Sequence, residues 1–123
     1  MGAAPLEIPE SRAAYNLTRR QDFSLTLSYH TQGQVIYWKY LDYLPPDSYE
    51  IAQKFAAVSG YRVELTPTAS GYAGYKDWFI QDYDRPGYTV EAGIGTAPLP
   101  LSQFPEIYAE NEGILTLGLT ATL

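Results

Sequence analysis

Phe23-Ser24-Leu25-Thr26-Leu27-Ser28-Tyr29-His30 alternates apolar and polar residues without a break. Neighbouring side chains of a strand point to opposite faces, so Phe23, Leu25, Leu27 and Tyr29 share one face and Ser24, Thr26 and Ser28 the other. This stretch is a half-buried strand that ends on a polar His30. On its upstream side, two prolines precede Ala13, Ala14 and Leu17 at helical spacing, which predicts a helix from about Pro9 to Arg20. Downstream, Gly33 breaks the strand, and Val35 to Tyr40 is β-branched and aromatic enough for a second one. Pro45-Pro46-Asp47-Ser48 leads into a helix from Asp47 to Ser59 that carries Ile51, Phe55 and Val58 and stops at Gly60.

Tyr61 to Leu65 reads as a third strand and Thr66 to Gly74 as a long surface loop. Tyr75 to Tyr83 fits a short helix, and Arg85-Pro86-Gly87 a turn into a strand at Tyr88 to Ala92. Gly93 to Pro100 is a Gly/Pro loop, and Gln103 to about Leu119 a final helix whose start Pro105 confines. Strands interleaved with helices define an α/β chain, a mixed sheet flanked by helices.

Of 123 residues, 46% are hydrophobic and 18% charged, as in a globular chain rather than a disordered one. A net charge of −6 argues against a dedicated nucleic-acid binder, because no excess of Lys or Arg exists to neutralise phosphates. The absence of cysteine excludes thiolate metal sites, disulfides and thiol redox chemistry. With one histidine, no all-histidine metal site can form within one chain. The start shows no positively charged region followed by an apolar stretch, so no signal peptide is visible, and the apolar end from Ile114 is far shorter than the roughly 20 residues of a membrane helix.

Two residues stand out chemically. Glu91 closes the strand Tyr88-Thr89-Val90-Glu91-Ala92 and shares a face with Thr89. A carboxylate in that position is either paired by a cation, exposed at an edge, or functional. His30 closes its own strand and is either a structural imidazole or a ligand. The residues alone leave both choices open.

Ser28-Tyr29-His30 followed by Thr31-Gln32-Gly33-Gln34 resembles the zinc-carboxypeptidase segment in which a strand ends in Ser-x-His. Tyr75-Lys76-Asp77-Trp78-Phe79 is similar to the segment closing the pocket for the substrate's C-terminal side chain. Tyr88-Thr89-Val90-Glu91 resembles the strand of the catalytic glutamate, and the interval from Trp78 to Glu91 equals the family's own. Pro100-Leu101-Ser102-Gln103-Phe104 resembles the lead into the last helix. The wording around Tyr29-His30-Thr31-Gln32-Gly33, Gly74 to Ile80 and Pro98 to Phe104, with the Pro-rich start, is closest to the bacterial γ-D-glutamyl-diaminopimelate peptidases.

The resemblance implies a zinc-carboxypeptidase-like (phosphorylase/hydrolase-like) fold and a Zn2+ enzyme acting on peptidoglycan stem peptides. Zinc would take two histidines, one glutamate and a water. His30 would be one ligand and Glu91 the general acid/base, so the two should end neighbouring strands and face one cleft. Lys76, Asp77 and Tyr72 would contact substrate. Lys76, before the Asp77-Trp78 pair, would set an ammonium at the base of the side-chain pocket, suited to a carboxylate on the leaving residue, unless it is a solvated surface lysine. Tyr72 is the nearest match to the family's flap tyrosine, at a different offset, and a plain loop tyrosine is the alternative. Gly93 stands where the animal digestive enzymes have Arg.

The family's His-x-x-Glu segment and its substrate-holding arginines and asparagine have no counterpart here; Arg12, Arg19 and Arg20 do not match those motifs. The chain is therefore expected to be the C-terminal portion of a catalytic domain, inactive alone, weak in zinc binding, and prone to self-association through surface that the rest would cover. The rival reading is a non-catalytic module that binds peptidoglycan peptides.

Overall fold

The computed structural model describes residues 3–72 and 74–123; Ala73, within the expected surface loop, lies outside them. The elements run α1 (Pro9–Arg20), β1 (Thr26–His30), β2 (Val35–Tyr37), α2 (Ser48–Ser59), β3 (Arg62–Glu64), α3 (Tyr75–Tyr83), β4 (Gly87–Glu91) and α4 (Phe104–Gly118), with 3-10 turns at Thr68–Ser70 and Leu101–Gln103. The chain is α/β as read. Four strands form a mixed sheet in the order β1-β4-β2-β3. β1 and β4 are parallel, β4 and β2 antiparallel, and β2 and β3 parallel.

Alternation along β4 sorts the sheet into two faces. Tyr88 and Val90, with Ile36 of β2, are buried beneath Ile51, Ala52 and Phe55 of α2 and Ile114 of α4. The Tyr88 ring meets Phe55 edge-on, and its hydroxyl donates to the Ser48 carbonyl at 2.7 Å, so the one polar atom of this core ring is satisfied. Gly87 begins the opposite face. A Cβ there would lie 3.2 Å from Thr26 Oγ1 and 3.4 Å from Ile80 Cγ1, which lets α3 seat directly on the strand. α1 rides on α3: the Thr18 and Tyr75 hydroxyls are 2.7 Å apart, and the Tyr15 and Trp78 ring centroids 5.1 Å.

The strands are shorter than their sequence patterns. Residues 23–25 do not join β1, because their partners would be the Arg85-Pro86 turn, where Asp84 has φ 49° and Pro86 offers no N–H. Arg85 instead donates to the Phe23 carbonyl at 2.6 Å and to Asp22 at 2.8 Å. β2 stops at Tyr37 rather than Tyr40, since the Lys39 carbonyl accepts from Lys76 Nζ at 2.8 Å and Leu41, at φ 45°, turns the chain away. α2 ends as expected on Gly60 at φ 77°, whose N–H reaches the Ala56 carbonyl.

Candidate functional site

His30 and Glu91 are the last residues of β1 and β4, and they are register partners. The strands are parallel, so both residues sit at carboxyl ends, side by side and on one face. That face also carries Ser28 beside Thr89, with Tyr37 across from Thr89 and Val35 across from Glu91. Carboxyl ends of parallel strands are where open α/β sheets bind ligands. The turns beyond are tied together: Ala92 N–H donates to the His30 carbonyl and Gly33 N–H to the Gly93 carbonyl, both at 2.8 Å.

His30 is exposed and Glu91 partly buried. Burial pushes the Glu91 carboxyl above the usual carboxylate range, and the neighbouring His30 charge opposes that rise. Among the described residues neither side chain has a hydrogen-bond or ion-pair partner; the three ion pairs found are Arg62–Glu64, Lys76–Asp77 and Arg85–Asp22. A cation-paired, purely structural Glu91 is thus not what the fold contains. A half-desolvated carboxylate beside a lone imidazole can accept and return a proton.

The raised carboxyl has a consequence for stability. Folded Glu91 binds its proton more tightly than unfolded Glu91, so its contribution to stability is full below the ordinary carboxylate range and is lost as pH rises through the raised value. Glu91→Gln is therefore expected to be more stable than the native chain at neutral pH, with the difference fading in acid. Urea melts at the two pH values measure it; a native chain that is the more stable at neutral pH would mean that the carboxylate has a partner.

As a metal site the arrangement is incomplete. His30 offers one imidazole and Glu91 one carboxylate, and among the described residues no group of three or more His, Asp or Glu stands together. The residues present do not by themselves fit a zinc ion, which takes at least three protein ligands.

The other sequence-predicted residues lie elsewhere. Lys76 is not a solvated surface lysine: it is 2% exposed, and its ammonium is held by the Asp77 carboxylate and the Lys39 carbonyl. Asp77 also accepts from the Gly74 N–H at 3.1 Å, closing the first turn of α3. Tyr72 is exposed and lines a cavity of about 170 Å3 with Lys39, Tyr40, Leu65 and Thr66. That cavity opens past the end of β2 remote from Val35, the register partner of Glu91, so Tyr72 is not brought to the pair. Sequence reasoning missed Gln103, whose side chain clamps both the N–H and the carbonyl of Ile94 at 3.1 and 2.8 Å, and it missed the buried Tyr61–Asn111 contact. An amide on the inner stripe of α4 was the available signal for the latter.

Fold and site together define an α/β unit with a carboxylate and an imidazole paired at the open ends of two parallel strands. No family model matches the chain. It is 52% identical over 118 residues to gamma-D-glutamyl-L-diamino acid endopeptidase 1 of Lysinibacillus sphaericus, covering 96% of this chain and 29% of that protein. It is 42% identical over 118 residues to the uncharacterized protein YqgT of Bacillus subtilis (strain 168), covering 96% of this chain and 31% of that protein. The chain thus spans less than a third of the length of the curated relatives it matches.

Proposed function

We propose that this chain is the C-terminal part of the catalytic domain of a zinc peptidase that cleaves cell-wall peptides at a γ-D-glutamyl–diamino acid bond. The observation that carries the reading is the in-register His30–Glu91 pair, unpartnered at the open end of the sheet. The identity to the Lysinibacillus sphaericus endopeptidase supplies the substrate class. Glu91 is the general acid/base. Its raised pKa brings it toward the operating pH, where a carboxyl both takes a proton from water and delivers it to the leaving amine. His30 would hold zinc together with ligands from protein outside these residues, and a zinc held there would supply Lewis-acid polarisation of the scissile carbonyl and of the attacking water.

Tyr72 is proposed to contact substrate from the rim of its cavity. Asp77 and Lys76 act there from behind, by fixing the start of α3 and the Lys39 carbonyl at the cavity wall. β1 is an edge strand with no partner on its outer side among the described residues, which favours association with another chain or segment.

The test is a chimera in which this chain replaces the 118 aligned residues of the Lysinibacillus sphaericus endopeptidase. Cleavage of a γ-D-glutamyl–diaminopimelyl peptide, followed by mass spectrometry, is expected, with loss of activity on metal chelation and recovery on adding zinc. A folded chimera that binds the peptide without cleaving it would instead identify a recognition module. One that does neither would remove the proposal.

A further inference from the structure

Two loops leave the candidate pair, residues 31–34 after His30 and residues 92–94 after Glu91. The first is held in a backbone conformation that costs energy, and the second in one that only glycine fits. Gln34 has φ 52°, in the left-handed region that only glycine adopts freely. Gly93 has φ 76°, and a Cβ there would collide with Leu99 Cδ1 and lie 2.9 Å from Ile107 Cδ1 of α4. A strained residue such as Gln34 persists only where its surroundings over-determine it.

Here the surroundings are a partly buried polar network reaching α4. Gln34 Nε2 donates to Glu110 Oε1 at 3.0 Å, and the Gln34 carbonyl accepts from the Arg62 N–H at 3.0 Å. The other oxygen of Glu110 accepts from the Tyr61 hydroxyl at 2.7 Å. That hydroxyl in turn accepts from Asn111 Nδ2 of α4 at 2.9 Å. Tyr61 is 3% exposed, and burial, followed by Glu110, pushes its hydroxyl up to about 12, so it stays a donor through neutral pH. The Tyr61 hydroxyl therefore reaches the loop after His30 through Glu110 and Gln34, and the loop after Glu91 is tied to that one by the Gly33 N–H on the Gly93 carbonyl at 2.8 Å.

We propose that Tyr61, Glu110 and Gln34 are positioning residues that lock the loops behind His30 and Glu91 to α4 and so fix how the imidazole and the carboxylate face each other. The role rests on the functional reading of that pair, but it can be read without turnover. His30 is the single histidine, so its imidazole C–H resonances are assigned without ambiguity. Tyr61→Phe, in the full chain at fixed pH, is expected to shift those resonances and to speed amide exchange at Gly33 and Ala92 about tenfold, the size expected for losing one buried hydrogen bond.

Tyr88→Phe is the control. It also deletes one buried tyrosine hydroxyl, bonded to the Ser48 carbonyl in the core of the sheet. It should lower overall stability while leaving the His30 resonances in place. Gln34→Gly serves if Tyr61→Phe fails to fold, because glycine suits the left-handed backbone and only the amide to Glu110 is lost; it should move the same signals in the same direction. Unmoved His30 resonances in Tyr61→Phe and Gln34→Gly, or equal shifts in Tyr88→Phe, would overturn the proposal. A chimera unable to cleave peptide would remove the proposed function and leave these spectra as they are.

Discussion

Glu91→Gln in the chimera is expected to lower kcat on a γ-D-glutamyl–diaminopimelyl peptide by about 10²–10⁴-fold, with KM little changed. Gln keeps the shape and one acceptor of the carboxyl but cannot take a proton from water or return one to the leaving amine. An interaction made only in the transition state shows up in kcat and kcat/KM together. The same substitution should stabilise the chain at neutral pH, because it removes a carboxylate whose ionisation burial opposes. A variant that is more stable and yet inactive separates lost chemistry from lost fold, and it has the signature of a residue kept for activity at a cost in stability. Loss of less than about tenfold would place the proton transfer elsewhere.

How much of this was legible in the sequence depends on whether the deciding contact is local. α1 and α3 have the bounds read from Pro9 and from the aromatic run at Tyr75, since helix signals are set within a few residues. The alternation predicts β1 three residues too long, because it reports a strand's faces but not where its partner begins, and that is set by Pro86 far along the chain. His30 and Glu91 were each visible as polar residues ending apolar strands. Their adjacency follows from the order β1-β4-β2-β3, which no periodicity encodes, and the family resemblance alone anticipated it. The network behind them joins residues 49 and 76 positions apart and left no local trace beyond Asn111. Lys76 and Asp77 were misleading for the opposite reason. Adjacent helical residues do not normally face each other, so a charge pair between them is not an expectation of the sequence.

That pair carries the second large effect. Lys76→Met is expected to destabilise the chain by about 3–5 kcal/mol, as removal of one partner from a buried ion pair does. The side chains of Lys76 and Asp77 are 3% and 5% exposed, so water cannot replace the missing ammonium. Met reproduces most of the lysine stem, which confines the loss to the charge and its hydrogen bonds. The Asp77 carboxylate would keep only the Gly74 N–H, and the Lys39 carbonyl would lose its donor. Against a domain stability of about 5–15 kcal/mol, this brings the variant close to unfolding. Adding Asp77→Asn removes the uncompensated charge and leaves an amide that can still accept from Gly74. The double variant should therefore be more stable than Lys76→Met alone, although it has lost one more native side chain. Urea melts of the native chain and both variants provide the measurement. A single substitution costing less than about 1 kcal/mol would mean that solvent reaches the pair. The same arrangement bears on selectivity. A substrate carboxylate could use the Lys76 charge only by displacing Asp77 from a contact that also closes the first turn of α3, so preference for an acidic leaving residue in Lys76→Met must be compared at a urea concentration and temperature where the variant is still folded.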